Sequence, residues 1–275
     1  MELTIVAVYT ICNDLLISLG HQTHPNAQMT DAEVMTTAII AAQFFCGNHQ
    51  RACSVLKNHG YIPNMLGHSR YNRPLHWIPH LFQILFEYFA EVSKSNNPNG
   101  IYAIDTYPVA VCDNIRISQC RLYQGEEWRG PIASKRRHFY GLKAHLMVTE
   151  SGPIVEVFFT SGKWNDVRGM RYFPYGLPQD SVVYADKAYC NYGIEDELKE
   201  VGTTFKPHQK KNLKHQFPSW EVYLQHLHRK RVEVTNSLIT QLLPKSTHAV
   251  TATGFELKLF LFIIATNIKQ LYGDR

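Results

Sequence analysis

The sequence predicts an α/β chain: a mixed β-sheet flanked by helices, preceded by a small helical domain. Three observations lead there. Apolar residues recur at helical spacing through residues 1 to about 95. The polar run KSNNPNG, Lys94–Gly100, then breaks the pattern with a Pro and a Gly. After it come short apolar, β-branched runs separated by turn signals, and then an alternation of helix and strand. The domains drawn from this are 1–95, helical, and 96–275, which holds the sheet.

The N-terminal elements follow in order. MELTIVAVYTICNDLLISLG reads as an amphipathic helix, since Glu2, Asp14 and the lack of a basic start do not suit a signal peptide. Thr30-Asp31-Ala32-Glu33 is a capping signal ahead of VMTTAIIAAQFF, and Gly47-Asn48-His49 ends that helix. Arg51–His59 reads as a short helix stopped at Gly60. HSRYNRP, His68–Pro74, reads as a basic turn: either a plain connection or a place where Arg70 and Arg73 meet DNA phosphates. Leu75–Val92 is a further helix, with Leu81, Ile84, Leu85, Tyr88 and Phe89 at helical spacing.

Beyond the linker, Ile101–Cys112 is the first expected strand and Phe139–Thr149 the second. The turn Glu150–Pro153 returns the chain as a third strand, Ile154–Thr160. Ser181–Ala185 is the fourth strand, Gly193–Val201 a helix bounded by glycines, and Thr203–Lys206 a short fifth strand. A polar basic loop, a helix over His226–Leu243, Pro244 and a last helix complete the chain. The last helix, Phe255–Tyr272, is strongly apolar but interrupted by Glu256, Lys258 and Lys269, which suits a buried packing helix better than a bilayer span. No internal repeat or low-complexity tract is visible.

The chain of 275 residues is long enough to bury a sizeable core, and 45% hydrophobic residues is ordinary for a globular protein. A net charge of +5, with 14 His in reserve, tilts mildly toward polyanions. Six scattered Cys with no C-x-x-C read as reduced thiols of a cytosolic protein.

Three acids stand out. Asp105 sits in the middle of the apolar run IYAIDTYPVAV, where an unpaired carboxylate is costly and is usually paired, neutralised or bound to a metal. Asp186 repeats the oddity at the end of SVVYA. Glu233 lies in a basic helical stretch. Hard divalent ions take oxygen ligands, and two of them suit an in-line phosphodiester displacement. The plain alternatives are a capping or Arg-paired role for Asp105, a surface turn pair with Lys187 for Asp186, and an i,i+4 partner of Arg229 for Glu233. Asp113 falls outside the core of the first strand, and Asp166 reads as a turn or capping residue.

Basic residues flank these acids. Lys135-Arg136-Arg137, Lys206, Lys210-Lys211, Lys214 and Arg229-Lys230-Arg231 are either solvated faces or phosphate contacts. Trp128, Trp164 and Trp220 fit packing against the core or stacking on an unpaired base. His208, His215, His226 and His228 raise zinc as a rival, but no H-E-x-x-H and no tight ligand spacing accompany them.

The set AIDTYPV, VVYADKAY and RKRVEVTNSLI resembles the DDE transposases of bacterial insertion sequences, with their ribonuclease H-like catalytic fold. The resemblance covers about residues 100 to 272, and the helical part before them is similar to the element preceding this domain in such enzymes. SGKWNDVRGM also resembles the segment found before the second aspartate. Relatives of this kind place a Tyr, an Arg and a Lys around the Glu at helical spacing. Arg229 matches, while His226 and Thr240 stand in the other two places. The resemblance implies Asp105, Asp186 and Glu233 as catalytic, metal-binding acids holding two Mg²⁺, with Mn²⁺ as a substitute. It implies cleavage of DNA at the element's inverted repeats and transfer of the 3′-OH to target DNA. The expected phosphate contacts are Arg229, Arg231, Lys187, Lys210, Lys211, Lys214, Arg136, Arg137, Arg70 and Arg73. It further implies a homodimer on DNA and a cytoplasmic, nucleoid-associated bacterial protein with no membrane partner. A metal-dependent nuclease that does not join ends, and a non-catalytic DNA-binding derivative, remain the alternatives.

Overall fold

The computed structural model describes residues 1–132, 136–209, 217–244, 247 and 249–273. Its contacts divide the chain into two compact units. One comprises Met1–Tyr88, Ile239–Lys245 and Thr253–Arg275, and the other Phe89–Leu238 and Ser246–Ala252.

The first unit is helical. It contains α1 (Glu2–Ser18), α2 (Asp31–Phe44), α3 (His49–Asn58), α4 (His68–Trp77), the start of α5 (Pro79–Ser95) and most of α9 (Ala252–Tyr272). α2 begins at the expected capping box: Glu33 N–H donates to the Thr30 hydroxyl at 3.2 Å, and Thr30 N–H donates to the Glu33 carboxylate at 2.7 Å. Residues 34–42 are buried on every side, as an all-round apolar helix demands. α9 buries Leu257 and Leu259 and then the run Leu261–Ile268 in the same way. Among the described residues no helix is long and apolar enough to cross a membrane.

Two expectations fail here. HSRYNRP is not a turn but most of α4, with Pro74 inside the helix. Pro74 has no N–H to give to the Arg70 carbonyl, a loss that the buried Tyr71 and Leu75 offset by packing. Tyr71 also donates from its hydroxyl to the Val34 carbonyl at 2.9 Å. The expected helix over Leu75–Val92 is divided at Ile78, because Pro79 starts a new helix rather than continuing the old one.

The second unit is built on a six-stranded mixed sheet. β1 (Ile101–Ala110) is central, antiparallel to β3 (Arg137–Thr149) and parallel to β5 (Val182–Ala185). β5 is in turn parallel to β6 (Thr204–Pro207), and β3 also pairs antiparallel with β2 (Arg129–Ile132) and β4 (Ile154–Ser161). β2 and α6 (Asp166–Met170) have no counterpart in the sequence reading. One face of the sheet, through Tyr102, Ile104, Met147 and Val183, packs on Met170 of α6 and on Ile194 and Leu198 of α7 (Tyr192–Glu200). The other face receives α8 (Ser219–Leu242). α8 starts earlier than expected, and Lys206 to Glu221 at 2.5 Å secures its first turn to β6. His228 stacks on Tyr184 with ring centroids 5.0 Å apart, and the buried Thr235 hydroxyl donates to the Gly152 carbonyl at 2.9 Å. The result is the ribonuclease H-like mixed sheet flanked by helices.

Candidate active site

Sheet register brings the two aspartates together. Ala103 of β1 pairs with Tyr184 of β5 in parallel fashion. Two residues further along each chain lie Asp105 and Asp186, on the same face because side chains alternate with a period of two. That face is the one α8 covers. The chain leaves β1 toward β3 on one side and β5 toward β6 on the other. The carboxyl ends of β1 and β5 therefore flank the point where strand order reverses, the usual ligand crevice of an open α/β sheet.

α8 supplies the rest. Glu221, Gln225, His228, Val232 and Thr235 form its buried stripe. Arg229, Glu233 and Asn236 follow that stripe by one position each, about 100° around the helix. Arg229 donates from Nη1 to Asp186 Oδ1 at 3.3 Å and from Nη2 to Glu233 Oε1 at 3.1 Å. Asn236 donates from Nδ2 to Asp105 Oδ2 at 3.2 Å. Asp186 also accepts the N–H of Lys187 at 2.7 Å, which begins the short 3₁₀ turn Lys187–Tyr189.

The electrostatics record the same meeting. Burial pushes the Asp105 carboxyl up to about 6, and the negative charges of Asp186 and Glu233 push the same way. The Thr106 backbone N–H and the Arg229 guanidinium oppose them. Asp105 is thus a half-buried acid with two like charges and one cation in range. Among the described residues no three His, Cys, Asp or Glu side chains are drawn together tightly enough to hold an ion as they stand. Arg229 accounts for this, since its guanidinium spans Asp186 and Glu233. The donor set itself is all carboxylate oxygen, which fits a hard divalent cation and not zinc.

A polar chain lies on the opposite face of β1, and the sequence reading missed it. Thr106, next to Asp105, meets the Tyr189 hydroxyl at 2.5 Å and His145 Nδ1 at 3.3 Å. His145 Nε2 meets the Thr160 hydroxyl at 2.8 Å. His145 is fully buried, stacks on Phe158 at 4.5 Å, and is held down to about 4 by burial. This chain runs across β4, β3 and β1 to the turn that begins with Asp186. The signal was present as a histidine inside the apolar run GLKAHLMV, the same kind of oddity as Asp105. Asn236 was legible too, three residues after Glu233 on a helix.

The remaining residues are placed as follows. Lys187 and Arg231 are exposed beside the carboxylates in sequence. Arg136 and Arg137 are exposed at the start of β3, roughly 30 Å of strand from Leu146, the residue paired with Asp105, so they do not join the acids. Arg70 and Arg73 are exposed on α4, in the helical unit. Lys135, Lys210, Lys211, Lys214 and His215 lie outside the described residues. Asp166 is no cap: Asn165 caps α6, and Asp166 pairs with the buried Lys143 at 2.9 Å. Trp128 packs on Tyr123 at 4.5 Å and Trp164 lies under the Arg168 guanidinium, whereas Trp220 is 63% exposed. His208 and His226 face each other with centroids 4.4 Å apart.

The ribonuclease H-like sheet thus carries one acid midway along its central strand β1 and another just past the end of the parallel strand β5. The chain belongs to the transposase DDE domain family, whose model matches residues 95–248, and the protein is a transposase. Among solved structures, a piggyBac transposase in a synaptic complex with hairpin DNA, determined by cryo-EM, is similar with a TM-score of 0.53. The likeness covers 98% of this chain and 72% of that one at 11% identity, and so is one of fold. No curated protein matches the chain in sequence.

Proposed function

We propose that this transposase cuts DNA at the ends of its element and joins the freed ends to target DNA, with Asp105, Asp186 and Glu233 as the acids of one site. The observation that carries the reading is that α8 reaches all three acids, Asn236 meeting Asp105 two residues past the paired Ala103 and Arg229 bridging Asp186 and Glu233. Water attacks phosphorus, and the P–O3′ bond breaks to leave a 3′-OH on the element. That hydroxyl then attacks a target phosphate and displaces a target O3′. Both steps are in-line displacements of the same kind, so one site serves both.

Asp105, Asp186 and Glu233 would hold two Mg²⁺, or Mn²⁺ in their place. Bound there, the pair supplies positive charge at the attacked phosphate and lowers the pKa of the attacking water. Asn236 fixes the Asp105 carboxylate through its hydrogen bond. Asp105 is half-buried, and its partial desolvation strengthens its hold on a cation. Arg229, released from Asp186, reaches a phosphate oxygen of the bound strand, and exposed Lys187 and Arg231 add further phosphate contacts. Two element ends need two sites, so the working form on DNA is a homodimer.

The test uses duplex oligonucleotides carrying the element's terminal repeat. Asp105→Asn, Asp186→Asn and Glu233→Gln each keep DNA binding and lose cleavage by more than about a hundredfold. Full cleavage by any one variant removes that residue from the site. Cut product without joined product, when a 3′-OH donor is supplied, reduces the protein to a nuclease.

A further inference from the structure

The helical unit carries a groove that this chemistry does not use. Between Glu33 and Glu87 the sequence holds no acidic residue, yet Arg51, Lys57, Arg70, Arg73 and five histidines fall there. Helix α4 places Arg70, Arg73 and Trp77 at i, i+3 and i+7, on one side of the helix. All three are exposed, Trp77 to 74%. They line a groove of about 510 Å³ whose other walls include the buried Met29 with Leu66 and Pro74. The groove is built rather than incidental: Leu66 N–H donates to Met29 Sδ at 3.4 Å, and Gln28 Nε2 donates to the Asn64 carbonyl at 3.0 Å.

A large aromatic ring left in water beside an apolar wall costs free energy unless a partner covers it. The partner must be flat and apolar on one part and anionic on another. An intact duplex offers the anions, but its base faces are stacked within it and leave Trp77 nothing to cover. An unpaired nucleotide offers both, and the volume lies in the range of small-ligand sites. We propose that this groove binds an unpaired nucleotide of a DNA strand, its base stacked on Trp77 and its phosphates on Arg70 and Arg73. The proposal rests on reading the chain as a DNA-acting protein, but not on the cleavage chemistry.

The experiment measures binding of the full chain to a fluorescein-labelled oligothymidylate and to a duplex of equal length, in chelator so that no cutting intervenes. Trp77→Ala weakens oligothymidylate binding roughly tenfold or more and leaves duplex binding within twofold. Trp77→Phe, which keeps a ring, restores most of the loss. Arg70→Gln with Arg73→Gln weakens both and flattens the salt dependence. Unchanged oligothymidylate affinity in Trp77→Ala overturns the proposal. An equal loss on the duplex also overturns it, by making Trp77 part of a duplex surface. Cleavage by Asp105→Asn would defeat the active-site reading and leave this result untouched.

Discussion

Asp105 and Asp186 each lie two residues beyond the paired Ala103 and Tyr184 of neighbouring parallel strands, one inside its strand and the other just past the end. The difference sets their surroundings. Asp105 is partly desolvated and carries a carboxyl raised to about 6, whereas Asp186 caps a turn and is met by a backbone N–H and by Arg229. A charge held in so unfavourable a place costs stability that an amide in its stead does not. Asp105→Asn should therefore stabilise the metal-free protein by about 1–2 kcal/mol at pH 7, a rise of a few degrees in Tm, while abolishing cleavage. A variant that is both inactive and less stable than the parent would show that Asp105 holds the fold together instead.

Much of this was readable beforehand, and the reason is physical. A carboxylate in an apolar strand is so costly that its presence signals a use, which is why Asp105 and the end of SVVYA stood out. Helix caps such as Thr30 and Glu33 are local hydrogen-bond patterns and survive translation from sequence to structure. HSRYNRP misled because turn chemistry in Pro and Asn was outweighed by the burial of Tyr71 and Leu75, which only tertiary packing reveals. The chain from Tyr189 to Thr160 joins residues on four separate segments, so no spacing rule could assemble it, although His145 alone was conspicuous.

Arg229 fixes the second expectation. It neutralises Asp186 and Glu233 when no other cation does, so it competes with any ion for the same oxygens. Arg229→Gln should lower Tm in chelator, because the carboxylates then repel one another unopposed. The same variant should show a larger rise in Tm on adding Ca²⁺ than the parent shows, without DNA present. Equal shifts in the two proteins would mean that Arg229 and the ion do not compete.

Gly169 reports on the buried histidine. A Cβ built there would stand 2.3 Å from His145 Cε1, closer than real atoms come. His145 is clamped between two hydroxyls and stacked on Phe158, so it has little room to yield. Gly169→Ala should cost about 1–3 kcal/mol in chemical denaturation, against the small gain that Ala normally brings to a helix. A neutral or stabilising result would show that His145 moves freely.

Acid sensitivity follows from three groups whose signs differ. Burial, chiefly, lowers His49 and His145 from 6.5 to about 4, so the folded protein binds fewer protons there than the unfolded chain does. Their contribution is complete above pH 6.5 and is lost as pH falls toward 4. Asp105 works the other way. Its carboxyl is raised from 3.8 to about 6, so the folded protein takes up a proton first and gains stability as pH falls through that window. Near pH 5 the two histidines favour unfolding with about two protons taken up, and Asp105 cancels about one. In chelator the parent should therefore lose roughly 1.4 kcal/mol per pH unit from these groups around pH 5, and Asp105→Asn about twice that. The variant that is the more stable at pH 7 should then be the steeper to fall in acid. Stability curves at several pH values between 4 and 7 measure both slopes directly, and parallel curves for the two proteins would deny Asp105 its raised pKa.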